Sequence, residues 1–339
     1  MENKEKNVEM GFSVVKTGTA IPEVTDKKTS QRWVSWGTDN KLPNYLYDNY
    51  LKNSNLQAVT NALLNFVVGD GIKADGISSE VLEKCVLDYI LFGGFTIECL
   101  RGRSGNIVQV NYVNVMNVRT NEDLDTAFLS SKWGNYSGKD IIELPLYNPN
   151  EKQNHFIYFY RGKLTRGINP IPMYIGCLKS IEILNGTRNF HLNNLGNNFN
   201  VSAIINLNNG TIKTRELDEI KRRLEENFTG TDNAGKFIII NNQDKEHAAT
   251  IERLSADNFG DLYKSLETSS KDDIFTAFRI NPMLVGINQQ TGFQRQEFEN
   301  AYALYYNSVV KPIQNDIAKV FGELGYGISY QPLKINWTE

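Results

Sequence analysis

The stretch from Asp272 to Phe321 constrains the fold more than any other part of this sequence, because it predicts two helices joined by a short polar loop. The first helix is predicted to stop at Asn281, since Pro282 disfavours the helical region for the residue before it. After Gly286 comes the loop Ile287 to Gly292, which is mostly polar and carries no charge. Its flanking glycines permit unusual backbone angles. Such a loop can contact a charged polymer without holding it firmly.

A long helix is predicted from Gln294 onward, because apolar residues recur there at intervals of three or four. This apolar face consists of Phe298, Tyr302, Tyr305, Val309, Ile313, Ile317, Val320 and Leu324. Pro312 lies within the helix and is predicted to kink it without ending it. The residues from Gly325 to Glu339 predict a strand and a tail.

Size, charge and cysteine content limit the classes of protein to consider. The 339 residues suffice for two or three compact units, and a hydrophobic fraction of 40% suffices for their cores. A net charge of −3 and a pI near 5.8 argue against tight binding of nucleic acid, which needs clustered Lys and Arg. Three widely spaced cysteines predict neither a disulfide framework nor a zinc site, and they suit a reducing cytoplasm. No apolar run approaches the roughly 20 residues that cross a bilayer.

The N-terminal segment from Met1 to Arg32 is rich in Lys, Glu and Thr and has few apolar residues. This composition predicts a poorly ordered arm. The arm contains no hydrophobic region of the signal-peptide type.

Three helices are predicted after the arm, at Pro43 to Tyr50, Leu56 to Val68 and Ser79 to Phe92. Ser79 is the predicted capping residue of the third helix, because its hydroxyl can accept a hydrogen bond from the first turn.

A β-sheet is predicted after Gly93-Gly94, where strand-like residues surround a turn rich in glycine. Its first two strands are Phe95 to Arg101 and Ile107 to Tyr112. The segments Ile141 to Tyr147 and His155 to Tyr160 are expected to complete the same sheet.

A helix is predicted from Tyr174 to Phe199, after the proline-fixed segment Gly167 to Met173. Its far half carries Asn185, Asn189, Asn193, Asn194, Asn197 and Asn198. Asn is a mediocre helix former, so this accumulation favours a use for the amide groups, as an uncharged lining or a subunit contact. Drift in an Asn-rich composition is the alternative.

The segment after this helix predicts a small α/β unit. Strands Val201 to Leu207 and Lys236 to Asn241 flank a predicted helix, Thr214 to Phe228. A long helix from Leu254 to Arg279 then returns to the loop described above.

The sequence offers no catalytic constellation. Gly230 to Phe237 nearly matches a phosphate-binding loop, but Phe237 replaces the hydroxyl that holds magnesium, and a strand follows where a helix should begin. His155, His191 and His247 have no metal-ligand spacing. Adjacent carboxylates on a helix do not face one site. No enzyme, metal or cofactor is therefore predicted.

In the order of its features the chain resembles the portal proteins of tailed bacteriophages, particularly the short ones that pair with HK97-like capsids. The turn Ile280 to Gly286, the polar loop and the Pro-Ile step in Lys311 to Ile313 follow one another as in that family. The resemblance runs from about Trp36 to Leu333 and covers most of the chain.

The resemblance implies an α+β portal fold with an α/β wing, a long helical stem, a small α/β clip and a tunnel loop leading into a long kinked helix. The implied parts are a flexible arm (1–35), the wing (36–170), the first stem helix (171–200), the clip (201–253), the second stem helix (254–281), the tunnel loop (282–296), and the long helix with the C-terminal strand (297–339). The family's upper crown helices are short or missing in this sequence.

The resemblance also implies a structural role in a virion. A closed ring, usually of twelve copies, would sit at one capsid vertex, and double-stranded DNA would pass through it during packaging and ejection. The implied partners are the terminase large subunit, a head–tail adaptor, and the major capsid and scaffold proteins, with no membrane and no cofactor. Such a phage or prophage protein would assemble in the cytoplasm of a bacterial host.

Three groups of site residues follow from the resemblance. The tunnel tip near DNA would contain Asn288, Gln289, Gln290, Thr291 and Gln294. The clip surface that meets terminase or adaptor would contain Arg222, Arg223 and Lys236. Lys264 and Lys271, seven residues apart on roughly one helix face, would belong to the stem.

Two other classes remain open at the level of sequence. A cytosolic helical adaptor or scaffold would be monomeric or dimeric and would have no central channel. A nucleotide-binding enzyme would need the segment Gly230 to Lys236 to bind ATP.

Overall fold

The computed structural model describes residues 21–28, 32–37, 40–133, 141–196, 201–207, 236–241, 259–286 and 295–334. The helices are α1 (Leu42–Lys52), α2 (Ser54–Val68), α3 (Ser79–Phe92), α4 (Leu178–Gly196), α5 (Phe259–Phe278), α6 (Arg295–Tyr305) and α7 (Lys311–Glu323). The strands are β1 (Lys27–Lys28), β2 (Val34–Ser35), β3 (Gly71–Ala74), β4 (Gly94–Arg101), β5 (Ile107–Val113), β6 (Val118–Thr120), β7 (Thr126–Leu129), β8 (Ile142–Pro145), β9 (His155–Arg161), β10 (Val201–Leu207), β11 (Lys236–Asn241) and β12 (Ile328–Gln331). No helix within these ranges is long and apolar enough to span a bilayer.

The main sheet is antiparallel, in the order β5-β4-β9. Alternate residues of its central strand, Phe95, Ile97 and Cys99, are fully buried because one face of the sheet packs against the helices. The Phe95 ring stacks on Phe321 of α7, with 6.2 Å between ring centroids. The helices before the sheet and the helix at the end of the chain therefore share one core.

The predicted placement of one strand is wrong. His155–Arg161 does join the main sheet, but Ile142–Pro145 pairs with Thr126–Leu129 in a separate sheet of order β6-β7-β8. The consecutive strands β6, β7 and β8 form an antiparallel meander, in which each strand pairs with its neighbour in the chain. A single bridge from Leu146 to Ile157 connects the two sheets.

Residues 21–28 and 32–37, which include the described part of the segment predicted to be a poorly ordered arm, make defined contacts. Strand β1 pairs with β2, and the carboxylate of Asp26 accepts hydrogen bonds from the backbone N–H groups of Ile168 and Asn169. The side-chain amide of Asn169 is buried and donates to Asp26 and to the carbonyl oxygen of Ser35. These contacts attach residues 21–28 and 32–37 to the segment that precedes α4.

The third helix has the predicted bounds but a different cap. Ser78, not Ser79, precedes the first helical residue, and its Oγ accepts from the N–H of Glu80 at 3.3 Å. A capping side chain must come from the residue just outside the helix, because only there is the backbone extended enough to aim it at the first turn.

The long C-terminal helix runs unbroken from Arg295 to Glu323 through a five-residue π-helical turn, Tyr306–Val310. The N–H of Lys311 donates to the carbonyl of Tyr306, five residues earlier, as in a π-helix. Pro312 has no N–H to donate, and the wider turn lets the helix continue past it. The prediction that Pro312 does not end the helix is confirmed. Of the eight predicted apolar positions, six are buried and the first two are partly buried.

Two strands beyond α4 have the predicted bounds. Val201–Leu207 and Lys236–Asn241 pair with each other in parallel, an arrangement that requires a crossover connection. The helix predicted at Thr214 to Phe228 lies outside the described residues. Helix α4 precedes these two strands in the chain and helix α5 follows them, and the two helices pack against each other.

Gly93 is expected to be the most sensitive glycine in the fold. It has a φ of +82°, and a Cβ atom there would overlap the carbonyl oxygen of Ile171. We expect Gly93→Ala to lower the free energy of unfolding by roughly 3 kcal/mol or more, as measured by urea denaturation.

Gly105→Ala is the matched control, because Gly105 has a φ of +85° but no atom within 4 Å of an added Cβ. It should lose only about 1 kcal/mol. Equal losses in the two variants would contradict the assignment of the larger effect to the contact with Ile171.

Candidate functional site

The structure describes a minority of the predicted site residues. Asn288, Gln289, Gln290, Thr291 and Gln294, predicted for the tunnel tip, lie outside the described residues, as do Arg222 and Arg223. Lys236 begins β11 as predicted, and its side chain is not described. Lys264 and Lys271 both lie on α5.

Helix α5 places its two lysines in different surroundings. Lys264 is exposed, and within the described residues its Nζ has no ion-pair partner. Lys271 is partly buried, with its Nζ 5.9 Å from the centroid of the Phe275 ring, which is within the range of a cation–π contact. On the same helix Asp273 accepts a hydrogen bond of 2.6 Å from the Ser180 hydroxyl on α4. The α4–α5 pair is therefore held together by polar as well as apolar contacts.

The chain leaves α5 through a capped turn with defined geometry. Asn281 accepts from the N–H of Met283 at 3.0 Å and caps a short 3₁₀ helix, Pro282–Val285. Gly286 ends that helix with a φ of +80°. Leu284 is buried in the core, so the turn is fixed where the predicted loop begins.

The far end of the predicted loop is also anchored. Helix α6 begins at Arg295, and its aromatic residues pack on α2: the ring of Phe66 lies 5.4 Å from that of Tyr302 and 5.9 Å from that of Tyr305. Eight residues, 287–294, connect Gly286 to Arg295. The predicted polar loop is therefore connected at each end to residues that are fixed by packing.

Amide side chains link α4 to α1 and to the start of α2. Asn185 on α4 donates to Asn49 at 2.8 Å and accepts from Asn53 at 3.0 Å, and Asn53 also caps α2. One turn further along α4, Arg188 donates to the hydroxyl of Ser54 at 2.8 Å. At Asn185 the amide therefore has a use within the subunit, which the sequence analysis did not foresee. The pair Asn53-Ser54 at a helix start was the available signal.

Arg119 is a buried cation that sequence reasoning missed. Its guanidinium lies between the rings of Trp36 and Trp133, at 5.3 and 4.9 Å from their centroids, and its Nε donates to Asn40 at 2.7 Å. Asn40 has a φ of 60°, which this residue type tolerates. Burial lowers the pKa of Arg119 to about 9. This arrangement connects β6 to the segment that precedes α1.

Asp88 on α3 is a buried carboxylate. It accepts hydrogen bonds from the Tyr112 hydroxyl at 3.0 Å and from the N–H of Val115 at 3.2 Å. Burial outweighs these bonds and raises the pKa of Asp88 to about 7. Asp88 thereby connects α3 to Tyr112 on β5 and to Val115 just after β5.

His155 has a partner that is distant in sequence. Its Nε2 is 2.7 Å from Oε1 of Glu98 on the neighbouring strand, and Asn111 donates to the other oxygen of Glu98 at 2.8 Å. Burial opposes ionisation of Glu98, but these two hydrogen bonds hold its pKa below the ordinary value. No group of three or more potential metal ligands occurs in the described part of the chain.

Comparison with known proteins relates this arrangement to one family. Residues 40–325 match the family model described as phage portal protein. No curated protein matches the sequence.

Solved structures give a second line of comparison. A chain from the virion of a native gene transfer agent particle matches with a TM-score of 0.51 and 13% identity, covering 86% of this chain and 83% of that one. A chain from the neck of an empty particle of this kind, computed with C6 symmetry, gives 0.50 and 12%, covering 88% and 86%. At this identity the likeness shows the fold, and the predicted α+β portal fold is confirmed at that level.

An HK97-family phage portal protein from Corynebacterium diphtheriae also matches. Its TM-score is 0.44 at 12% identity, with 84% of this chain and 94% of that one covered.

We expect Asp88 to make stability depend on pH. The unfolded carboxyl has an ordinary pKa of 3.8 and the folded one a pKa of about 7. Between these values the unfolded state releases a proton that the folded state retains, so the contribution of Asp88 to stability falls as pH rises from 4 to 7. Asp88→Asn should remove this fall, which is on the order of a few kcal/mol.

The measurement is urea denaturation at several pH values. Asp75→Asn, at an exposed position, is the control and should follow the native profile. A native-like slope in Asp88→Asn would show that another group causes the dependence.

Proposed function

The chain belongs to the phage portal protein family, and from this premise we propose that it forms a closed ring at one capsid vertex through which double-stranded DNA is packaged and ejected. The match to the family model over residues 40–325 is the observation that carries this proposal. It includes the main sheet, the stem pair α4–α5 and most of the long helix. The ring would belong to a virion and would assemble in the cytoplasm of a bacterial host.

The ring is proposed to be built from one repeated contact between unlike surfaces of neighbouring subunits. Such heterologous contacts close into a ring when a whole number of equal rotations from one subunit to the next completes a full turn. The neck of the empty gene transfer agent particle, whose chain has a similar fold, was computed with sixfold symmetry. Twelve subunits is the number that the family resemblance implies for this chain.

The channel chemistry is proposed to be weak, repeated and independent of DNA sequence. Gln289 and Gln290, with Asn288, Thr291 and Gln294, would offer uncharged hydrogen-bonding groups to the DNA backbone. Clusters of Lys or Arg would hold the phosphates too firmly for the polymer to move. The net charge of −3 suits such a passage.

The protein is proposed to move DNA without being an enzyme. A separate terminase would supply the energy, and the clip, with Arg222, Arg223 and Lys236, would meet the terminase large subunit and later the head–tail adaptor. The stem lysines Lys264 and Lys271 would lie between the clip and the wing. Capsid and scaffold proteins would contact the outside of the ring.

The direct test is imaging of the purified protein in negative stain, together with its mass in solution. We expect rings with a central hole wide enough for a DNA duplex, about 20 Å, and a mass equal to a whole number of subunits, twelve by the resemblance. A monomer or dimer that forms no rings with or without capsid and scaffold proteins would overturn the proposal and favour the adaptor class.

The loop is tested by changing its charge. We expect Gln289→Arg with Gln290→Arg to slow DNA packaging at least several-fold, because two cations per subunit would bind the phosphates that must slide past. Packaging by native terminase into empty capsids is the measurement.

The control is Gln289→Asn with Gln290→Asn, which keeps the loop uncharged and should package at the native rate. Ring formation should be normal in both variants. An unchanged rate in the arginine variant, in rings of normal appearance, would show that these residues do not face the DNA.

A further inference from the structure

A cavity of about 340 Å³ opens beside the C-terminus of α5 and the π-helical turn. Its apolar lining consists of Ile171, Met173, Ala277, Val309, Pro312 and Ile313. Lys163, Leu164 and Arg279 also line it, and Leu164 is 62% exposed although it is a large apolar residue. An apolar cavity with an exposed leucine and two cations along its lining is typical of an interaction site.

Of the two cations that line this cavity, only Lys163 pairs with a carboxylate among the described residues. Asp316 is buried, and its two oxygens are taken by the Nζ of Lys163 at 2.6 Å and by the hydroxyl of Tyr89 at 2.9 Å. Among the described residues, no carboxylate pairs with Arg279, whose side chain is exposed. A ligand with an apolar side chain and an adjacent carboxylate would therefore complement the cavity.

The backbone at Arg279 has an unfavourable conformation. Its φ is +53°, and the N–H of Ile280 bonds to the carbonyl of Phe275 at 3.0 Å, as in a helix end that glycine usually provides. A side chain costs about 1 kcal/mol or more in this conformation. Glycine would be more stable here, so local backbone stability does not account for the arginine side chain.

A complementary surface lies on α1, and we call it the α1 ridge: Tyr47, Asp48 and Leu51. Tyr47 is 38% exposed and Leu51 is 55% exposed, and the two lie one helical turn apart. Asp48 lies between them in sequence, and among the described residues its carboxylate pairs only with Lys52 in the next turn, at 3.2 Å. An exposed pair of this kind contributes little, so Asp48 can exchange its partner readily.

The ridge and the cavity are separate surfaces of the subunit. The cavity is lined by residues of α3, the turn after β9, the segment before α4, the end of α5, the π-helical turn and α7, and no residue of α1 lines it. Separate surfaces can meet when copies are arranged head to tail.

We propose that the α1 ridge of one subunit docks in this cavity of the next, with Leu51 in the apolar part and Asp48 paired with Arg279 across the interface. This inference rests on the proposed ring and specifies the surfaces that form it. The partner is a second copy of this chain.

Disulfide trapping tests the contact directly. The native cysteines Cys85, Cys99 and Cys177 are all buried, so cysteines placed at exposed sites report without background. The chain with Leu51→Cys and Leu164→Cys should give a ladder of linked subunits on mild oxidation with copper phenanthroline. A mixture of the two single variants should give linked dimers and nothing larger, because each subunit then offers one cysteine.

The matched control is Ile142→Cys with Leu164→Cys, since Ile142 is also exposed, at 63%, but lies on β8 away from the ridge. It should give no ladder. Rings in the microscope without a ladder from the Leu51 and Leu164 pair would overturn this inference and leave the proposed function standing. A mass that never exceeds one subunit would overturn both.

The variant Arg279→Gly distinguishes an effect on the stability of the subunit from an effect on assembly. It should raise the temperature of unfolding of the free subunit, because glycine adopts a φ of this sign without strain. It should also raise the protein concentration needed for half-maximal ring formation roughly tenfold, since Asp48 of the neighbour loses its partner.

Arg103→Gly, at an exposed arginine in the β4–β5 turn, is the control and should leave assembly unchanged. An Arg279→Gly variant that assembles like the native protein, or that loses stability and assembly together, would contradict the proposed role of the side chain.

Discussion

The close approach of two backbone segments at Gly93 is the contact on which the rest of the structure depends. Its N–H ends α3 by donating to the carbonyl of Tyr89, its carbonyl accepts from Gly162 just after β9, and its α-carbon faces Ile171 in the segment before α4. Because no side chain stands between them, the helical layer, the main sheet and the start of α4 meet within one small region.

Three buried ionisable side chains connect parts of the fold that lie apart in the chain. Arg119 lies between two tryptophans and joins the β6-β7-β8 sheet to the chain before α1, whereas Asp88 joins α3 to the end of β5. Asp316 joins α7 to the turn after β9. Each group has hydrogen-bond partners in a defined geometry, so each position tolerates little displacement.

The prediction of the fold succeeded where one segment's own pattern decides the outcome. The bounds of Val201–Leu207 and Lys236–Asn241 and the apolar face of the long helix follow from local periodicity. The cavity proposed as a docking site could not be predicted from the sequence. The cavity beside Arg279 combines residues from five separate stretches of the chain, and none of them forms a motif in sequence. The amide link from Asn185 to Asn49 likewise joins positions 136 residues apart.

The sequence by itself determined the helices, most strands, the polar loop between two fixed helices and the family resemblance, because each depends on the order and spacing of neighbouring residues. Only the tertiary structure decided that Ile142–Pro145 belongs to a second sheet and that residues 21–28 are attached to the core through Asp26. The same holds for His155, whose partner Glu98 lies on the adjacent strand. In each of these cases the partner lies on another segment of the chain, and the choice depends on which edges, donors and charges that segment leaves unpaired.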